Sequence, residues 1–372
     1  MTHNQQYKAE IMDGSNYNKE NELSELQYAQ RLVNEGLSMQ EAYDLVERMK
    51  QNGHQFGVTK TKPRKINTKS AVAKENTKRP KPLTKREKAI VEVGVTIDSE
   101  PPKPNDLTFM HSMMCQVGLP RKKLDSLEFE RVCGNAGVSL RAGKVWDGKQ
   151  FVQQQLPYGT IPRLIMTYLN TSALRHKSPT IEVGGTTGEF MKRLGMSLTG
   201  GKTGTYTAFK KQMQALAACE ITFGLTTATK AITYNGSPIK QFDAWLSNTE
   251  EHPALWPAEI QFSQEYYETL INHAVPLDLR AMEALSGSAL AMDIYAMLAE
   301  RLHRISGRPV VLYWKNLREQ FGQEYNDPKN FKQAFLKQLK SAHAVYPKAK
   351  VKQVTGGIMM MASPPPIPYK KS

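Results

Sequence analysis

The sequence predicts an α+β fold in which one order of elements occurs twice: helix, strand, short helix, basic helix and β-hairpin. Apolar residues at helical spacing mark the helices, and β-branched runs beside turn dipeptides mark the strands. This order is typical of a winged helix, a variant of the helix-turn-helix. We therefore expect tandem winged-helix domains over residues 105–250 and 251–362, preceded by a small helical hairpin and a disordered basic linker.

The first 56 residues predict an acidic helical hairpin module. An apolar stripe at helical spacing runs from Leu26 to Val33 and stops at Gly36, and a capping box at 38–41 opens a second helix. Two short helices bury little apolar surface. We expect the module either to dock on a second copy or a partner, or to remain a marginal solvated hairpin.

Residues 57–104 predict a disordered basic linker. Between residues 60 and 88 the chain has twelve Lys or Arg residues and two acids, a net charge of +10, and almost no large apolar side chains. Such a composition cannot bury enough surface to fold. The linker would add DNA affinity without reading sequence.

The first globular domain begins near residue 105, and residues 124–133 show helical periodicity. After them we expect short strands around 144–152, a helix from Pro162 to about Leu174, a strand at 180–183, a short helix near 190–194, a basic helix, and strands at 220–225 and 231–234. Asn235-Gly236 is the strongest short hairpin signal of this region.

The basic helix of this domain follows a segment that looks like a phosphate site, Gly201-Lys202-Thr203. Met196 stands where a P-loop needs its first glycine, and the preceding residues predict a short helix instead of a strand. Nucleotide binding is therefore disfavoured. Phe209, Met213 and Leu216 form an apolar stripe that leaves the other face basic, as in a DNA recognition helix.

An ordinary amphipathic surface helix would show the same pattern, so the charge of the whole chain matters. The chain has 50 Lys and Arg against 35 Asp and Glu, a formal charge of +15, which is the electrostatic footprint of a nucleic-acid binder. Thr205 is the expected N-cap of the basic helix. We expect DNA contacts in this domain from Lys202, Thr203, Thr205, Lys210, Lys211 and Gln214.

The second domain repeats the order. Helices at 263–273 and 286–305, a strand at 310–313 and a short helix at 315–321 precede a third helix, which Asp327-Pro328 should start. Residues 328–352 contain seven lysines and no acid, three of them alternating on a strand before a Gly356-Gly357 turn. The expected DNA contacts are Lys329, Lys332, Gln333, Lys337, Lys340, Lys348, Lys350 and Lys352. Lysines suit phosphates, whereas Gln214 and Gln333 suit base edges.

Several functional classes are disfavoured. No apolar segment approaches the length of a membrane span and the N-terminus has no apolar signal core, so we expect a cytoplasmic protein. The cysteines at 115, 133 and 219 lack Cys-x-x-Cys spacing and predict free, mostly buried thiols. No two histidines are two residues apart, as a DNA-nicking metal site would need, and no nucleophile elbow occurs. We expect no enzymatic activity, no metal and no cofactor.

Several short motifs lie between Phe109 and Gly224, namely Leu156-Pro157-Tyr158-Gly159, Pro162-Arg163, Phe190-Met191, Gly200-Gly201-Lys202 and Gln212-Met213. With them, roughly residues 105–350 resemble the plasmid-encoded RepA family of replication initiators. The resemblance implies binding to repeated double-stranded sites at a plasmid origin, melting of adjacent DNA and recruitment of a host initiator and a replicative helicase. It also implies a homodimer in equilibrium with a DNA-binding monomer. The first 95 residues fall outside it.

Two other interpretations remain open. A winged-helix transcriptional regulator would use the same faces on an operator. A structural or partner-binding protein that reaches nucleic acid only through its basic segment would lose DNA binding when residues 58–92 are deleted, whereas an initiator truncated to 100–372 would still find its site. The Pro-rich tail, 363–372, predicts a polyproline II segment, either a partner ligand or, as we expect, a solvated end.

Overall fold

The computed structural model describes residues 82–226, 231–236, 238–241 and 259–368, together with residues 44, 46–48 and 51. The chain divides into two compact units, 1–80 and 81–372. Residues 44, 46–48 and 51 are helical, and the rest of the predicted acidic hairpin module lies outside the described residues. None of the described helices is long and apolar enough to cross a membrane.

The described part of the second unit mixes helices and strands, so the predicted α+β class is confirmed. Its helices are α1 (Lys85–Ser99), α2 (Ser112–Gln116), α3 (Thr160–His176), α4 (Thr187–Arg193), α5 (Thr205–Ala217), α6 (Gln264–His273), α7 (Leu279–Ala284), α8 (Ala289–Arg301), α9 (Trp314–Phe321) and α10 (Pro328–Ala344), with short 3-10 turns at Pro104–Asp106 and Leu302–Arg304.

The strands of the described residues form five antiparallel sheets with the orders β1-β11, β2-β3-β7-β8, β4-β5, β6-β10-β9 and β12-β14-β13. They are β1 (Leu107–His111), β2 (Glu128–Cys133), β3 (Ala136–Ala142), β4 (Lys144–Trp146), β5 (Phe151–Gln153), β6 (Thr180–Glu182), β7 (Cys219–Thr226), β8 (Ala231–Gly236), β9 (Ile239–Gln241), β10 (Glu259–Phe262), β11 (Ala274–Asp278), β12 (Val310–Tyr313), β13 (Val351–Val354) and β14 (Gly357–Met360).

The predicted disordered linker, 57–104, is wrong for residues 85–99, which form α1. A capping box starts this helix: Thr84 Oγ1 accepts from the backbone of Glu87, whose carboxylate accepts from the backbone of Thr84. The helix packs on α7 and α10, and a Cβ on Gly94 would come within 2.0 Å of the Ala344 carbonyl oxygen. Tertiary packing therefore overrides the low helix propensity of this valine-rich segment.

Residues 124–133 do not form the predicted helix, because 128–133 form β2 in a four-stranded sheet. The prediction of a hairpin turn at Asn235-Gly236 is also wrong, because both residues lie in β8. Gly236 pairs with Ile221, and Thr226 pairs with Ala231 at the opposite end of the β7–β8 ladder. The β7–β8 pair extends the β2–β3 sheet through β3. In both cases strand pairing decided the structure: β2 forms a hairpin with β3, and the β3–β7 pairing joins the two hairpins in one sheet.

Two sets of elements repeat one topology. The first repeat is α3, β6, α4, α5, β9 and β10, and the second repeat is α8, β12, α9, α10, β13 and β14. In each three-stranded sheet the last strand lies in the middle and pairs with the other two. The β7–β8 pair, expected in the sheet of the first repeat, is thus an insertion between α5 and β9.

A single hydrophobic core joins both repeats. Helix α8 lies deep in it, since residues 289–300 are all buried, and it contacts α2, α3 and α10. Cys115 and Cys219 are buried free thiols, as predicted, and Cys133 is half-buried. The prediction of a solvated tail is wrong for its first residue. Ser363 is buried, and its Oγ accepts a hydrogen bond from the backbone N–H of Lys350 at 2.9 Å.

Candidate nucleic-acid interface

Helix α10 has the start and the buried face that the sequence predicts. Asp327 is its N-cap and accepts from the backbone of Lys329 at 2.7 Å, and Pro328 occupies the first turn. Phe331, Phe335 and Leu339 are buried. The helix is therefore fixed to the core by one side, which leaves the other side for polar contacts.

The predicted α10 contacts differ in their surroundings. Lys329, Gln333 and Lys340 are exposed. Lys332 is half-buried, with its Nζ 5.0 Å from the centre of the Trp314 ring, a cation–π geometry. Lys337 is exposed, but its Nζ lies 3.7 Å from Glu87 Oε1 of α1.

Helix α1 thus borders the lysine-bearing side of α10. The hydrogen bonds from Thr84 and the positive charge of Lys337 lower the pKa of the Glu87 carboxyl, in that order of importance. The sequence did not reveal this contact, because it placed Glu87 in a disordered linker. Lys337 is consequently a weaker candidate for a phosphate contact than Lys329 or Lys340.

Three further lysines follow α10, at 348, 350 and 352, and all are exposed. Their predicted alternation along one strand is wrong for the first two, because β13 begins at Val351 and only Lys352 lies within it. The predicted hairpin itself is confirmed: Val354 pairs with Gly357, and Gly356 adopts φ 84° in the turn.

Helix α5 has the predicted buried stripe, since Phe209, Met213 and Leu216 are fully buried. The expected N-cap is wrong by one residue: Gly204 is the cap and Thr205 is the first helical residue. The hydroxyl of Thr205 instead donates to the Ser197 carbonyl at 2.6 Å. Thr205 therefore holds the preceding turn in place.

The approach to α5 is a compact turn. Thr207 donates to the Gly201 carbonyl at 2.8 Å, and a Cβ on Gly204 would come within 2.3 Å of two carbonyl oxygens. Lys202 and Thr203 are exposed at this turn. Residues 187–193 form α4 and not a strand, so the P-loop context is absent, as the sequence predicts.

The remaining predicted contacts of α5 lie farther along the helix. Lys211 is exposed, whereas Lys210 and Gln214 are half-buried. Gln212, which the sequence placed in a family motif, is buried, and its Oε1 accepts from the backbone of Tyr158 at 2.7 Å. This bond ties α5 to the segment that precedes α3.

A buried ion pair joins the first helices of the two repeats. Arg163 of α3 donates to both carboxylate oxygens of Asp293 of α8, at 2.6 and 2.8 Å. Its Nη2 also donates to the carbonyl of Leu119 at 2.7 Å, and its Nη1 donates to the carbonyl of Gly159 at 2.6 Å. Such a bidentate pair fixes orientation as well as distance. We call this contact the joint.

Two more arginines surround the joint. Arg121 Nη1 lies 3.6 Å from Asp293 Oδ2, and Arg131 Nη2 lies 3.8 Å from Glu324 Oε1. Burial, and next the charge of Arg121, lowers the pKa of Arg131 to about 10. The family motif Pro162-Arg163 contains one member of this cluster, but its partners come from distant segments and have no local signal.

The described residues contain no group of three or more His, Cys, Asp or Glu side chains that would hold a metal ion. Residues 156–316 match the family model described as plasmid-encoded RepA protein. A crystal structure of domains 2 and 3 of RctB is similar at 8% sequence identity and a TM-score of 0.42, covering 66% of this chain and 95% of that chain. No curated protein is significantly similar to the chain.

The family match begins just before α3 and ends within α9. It therefore includes α5, the joint and all of α8, but not α10. The resemblance that the sequence motifs indicate is confirmed: residues 156–316 of this chain are similar to plasmid-encoded RepA proteins.

Proposed function

We propose that the protein is a plasmid replication initiator that binds repeated double-stranded origin DNA through two winged helices. The observation that carries the proposal is the second repeat. Residues 328–352 hold seven lysines and no acid, on a helix and hairpin that follow the order of a winged helix. The family match over the preceding segment supports the initiator class.

In this proposal α10 enters a major groove. Exposed Lys329 and Lys340 neutralise phosphates, and Gln333, which lies between them, contacts base edges. Lys348, Lys350 and Lys352 contact the backbone beside the groove. Each neutralised phosphate adds to the salt dependence of binding.

The first repeat would contact DNA in the same way through α5. Lys202 and Thr203 stand exposed at the turn before the helix, where side-chain donors can meet a phosphate, and Lys211 is exposed on the helix itself. In this proposal β9 and β10, which pair in the sheet of the first repeat, serve as its wing in place of the predicted strands at 220–225 and 231–234.

Several finer features belong to the same proposal. The protein would work in the bacterial cytoplasm as a homodimer in equilibrium with a monomer, open the origin and recruit a host initiator and the replicative helicase. It would act through binding energy alone, without catalysis, metal or cofactor.

The experiment is a replication assay on a plasmid whose only origin is the DNA flanking the gene. Lys329→Ala/Lys340→Ala removes two exposed positive charges, and should abolish replication and weaken origin binding. Lys103→Ala/Lys123→Ala removes the same charge from exposed positions elsewhere and should replicate normally. Equal replication by both variants would contradict the proposal.

A transcriptional regulator remains the second candidate. The same basic faces would then bind an operator, without opening DNA. Failure of the intact protein to replicate the plasmid in a suitable host, combined with specific binding near its own promoter, would favour the regulator.

A further inference from the structure

The hairpin β4–β5 pairs with no other described strand. Its turn is ordered by Asp147, whose carboxylate accepts from the backbones of Lys149 and Gln150 at 2.9 and 2.8 Å. Its residues from Trp146 to Gln153 are all exposed. The hairpin is therefore a well-formed surface projection.

Two aromatic residues face each other across this hairpin. Trp146 pairs with Phe151 in the strand register, and their ring centres are 5.2 Å apart at 62°. Trp146 is 50% exposed and Phe151 is 68% exposed. Two adjacent exposed rings on a folded protein indicate a surface that a partner covers.

The hairpin carries Lys144 and Lys149 against one acid, Asp147, and this positive balance favours an anionic partner. Lys144 lies two residues from Trp146 on the same strand, so it shares the face of the rings. Lys149 is exposed in the adjacent turn. Exposed aromatic rings beside lysines form the kind of surface on which bases stack while the cations meet phosphates.

The hairpin starts beside the end of α5. A Cβ on Gly143, the residue before β4, would come within 2.2 Å of the Ala218 carbonyl oxygen at the C-terminus of α5. Gln153 Nε2 donates to the carbonyls of Ala142 and Gly143, both at 2.9 Å. The hairpin is thus anchored next to a helix that would contact duplex DNA.

We propose that the β4–β5 hairpin binds single-stranded DNA by stacking unpaired bases on Trp146 and Phe151. Bases within a duplex are already stacked, so both faces of a base become available only after the strands separate. The inference rests on the proposed function in one respect, because an opened origin would supply the unpaired bases.

The test compares two DNA ligands by fluorescence anisotropy with the full chain: a labelled oligothymidylate and an origin duplex. Trp146→Ala/Phe151→Ala should weaken oligothymidylate binding at least about tenfold, which corresponds to ~1.4 kcal/mol of lost stacking. Duplex binding should change less than about twofold. Trp146→Phe/Phe151→Tyr keeps both rings and should retain oligothymidylate binding.

Val132→Ala is the control, because Val132 is an apolar side chain that is 66% exposed on β2, outside the hairpin. It should leave oligothymidylate binding unchanged. In parallel, light-induced cross-linking to 5-iododeoxyuridine should map to the peptide containing Trp146 and Phe151. Unchanged far-UV circular dichroism of each variant confirms that the fold is intact.

Wild-type protein that binds no oligothymidylate, or a double alanine variant that binds it as well as wild type does, overturns the inference. The second result would indicate that another partner, such as a protein, covers the rings. Loss of oligothymidylate binding in the double variant, with no wild-type binding to the origin duplex, would overturn the proposed function and leave the hairpin site standing.

Discussion

Arg163→Met removes the guanidinium group of the joint and retains an unbranched, flexible side chain that is apolar. The change leaves Asp293 buried with only Arg121, at 3.6 Å, and strips donors from the carbonyls of Leu119 and Gly159. Breaking a buried pair in this way costs ~3–5 kcal/mol. Because Arg121 remains near Asp293, we expect a loss of ~3 kcal/mol in the free energy of unfolding, measured by urea denaturation.

The structure supplies a matched control in Arg141. Its Nε lies 3.1 Å from Glu128 Oε1, yet both side chains are about two-thirds exposed, at 67% and 65%. Arg141→Met should therefore cost less than ~1 kcal/mol. In a double-mutant cycle, Arg163→Met and Asp293→Asn should show a coupling of ~1–3 kcal/mol. Equal losses for the two arginine variants would refute the reasoning about the joint.

The other predictions concern α1, α10 and one buried histidine. Gly94→Ala should lower the melting temperature, because its Cβ would collide with a carbonyl oxygen of α10, even though alanine is the better helix former. Val95→Ala changes an exposed position of the same helix and should not lower the melting temperature. Gel-shift titrations over a range of salt should show that Lys329→Ala weakens binding to all duplexes alike and lowers the salt slope by about 1. Gln333→Ala should instead relax discrimination between sites, and an equal loss on every sequence would exclude it as a base reader. Burial, and then a neighbouring histidine, lowers the pKa of His111 to about 3, so the unfolded chain binds its proton first. The stability that neutral His111 contributes is complete above about pH 6.5 and falls as the pH drops towards 3. His111→Asn keeps a side-chain acceptor for the backbone N–H of Met113 but cannot be protonated in this range. The variant should therefore show a flatter dependence of the melting temperature on pH between about 6.5 and 3.

The second repeat was the most predictable part of the chain because its signals are local. The cap at Asp327-Pro328, the apolar stripe from Phe331 to Leu339 and the hairpin turn at Gly356 each act over a few residues. The lysines of α10 could be identified in the same way, since a helical face follows from spacing alone. Their real surroundings, such as Glu87 beside Lys337, could not.

The wrong predictions share a physical cause: these segments make contacts that their own local pattern does not reveal. Helix α1 is stabilised by packing on α10, which a valine-rich sequence does not reveal. Strand β2 carries a helical pattern but pairs with β3, and Gly236 completes a ladder instead of making a turn. Nothing local shows that Arg131 and Arg163 are buried, although Arg163 lies in a family motif.

The joint also has a consequence for the DNA that the proposed initiator would recognise. A bidentate contact between α3 and α8 ties the two repeats at one separation and one rotation. Helices α5 and α10 would then contact the duplex at two places whose angular separation around the DNA axis is fixed. DNA turns once in about 10–10.5 base pairs, so inserting half a turn between the two contacted segments would carry one of them to the opposite side of the duplex. The protein would thus recognise the distance between the two contacted DNA segments as strictly as it recognises their base sequence.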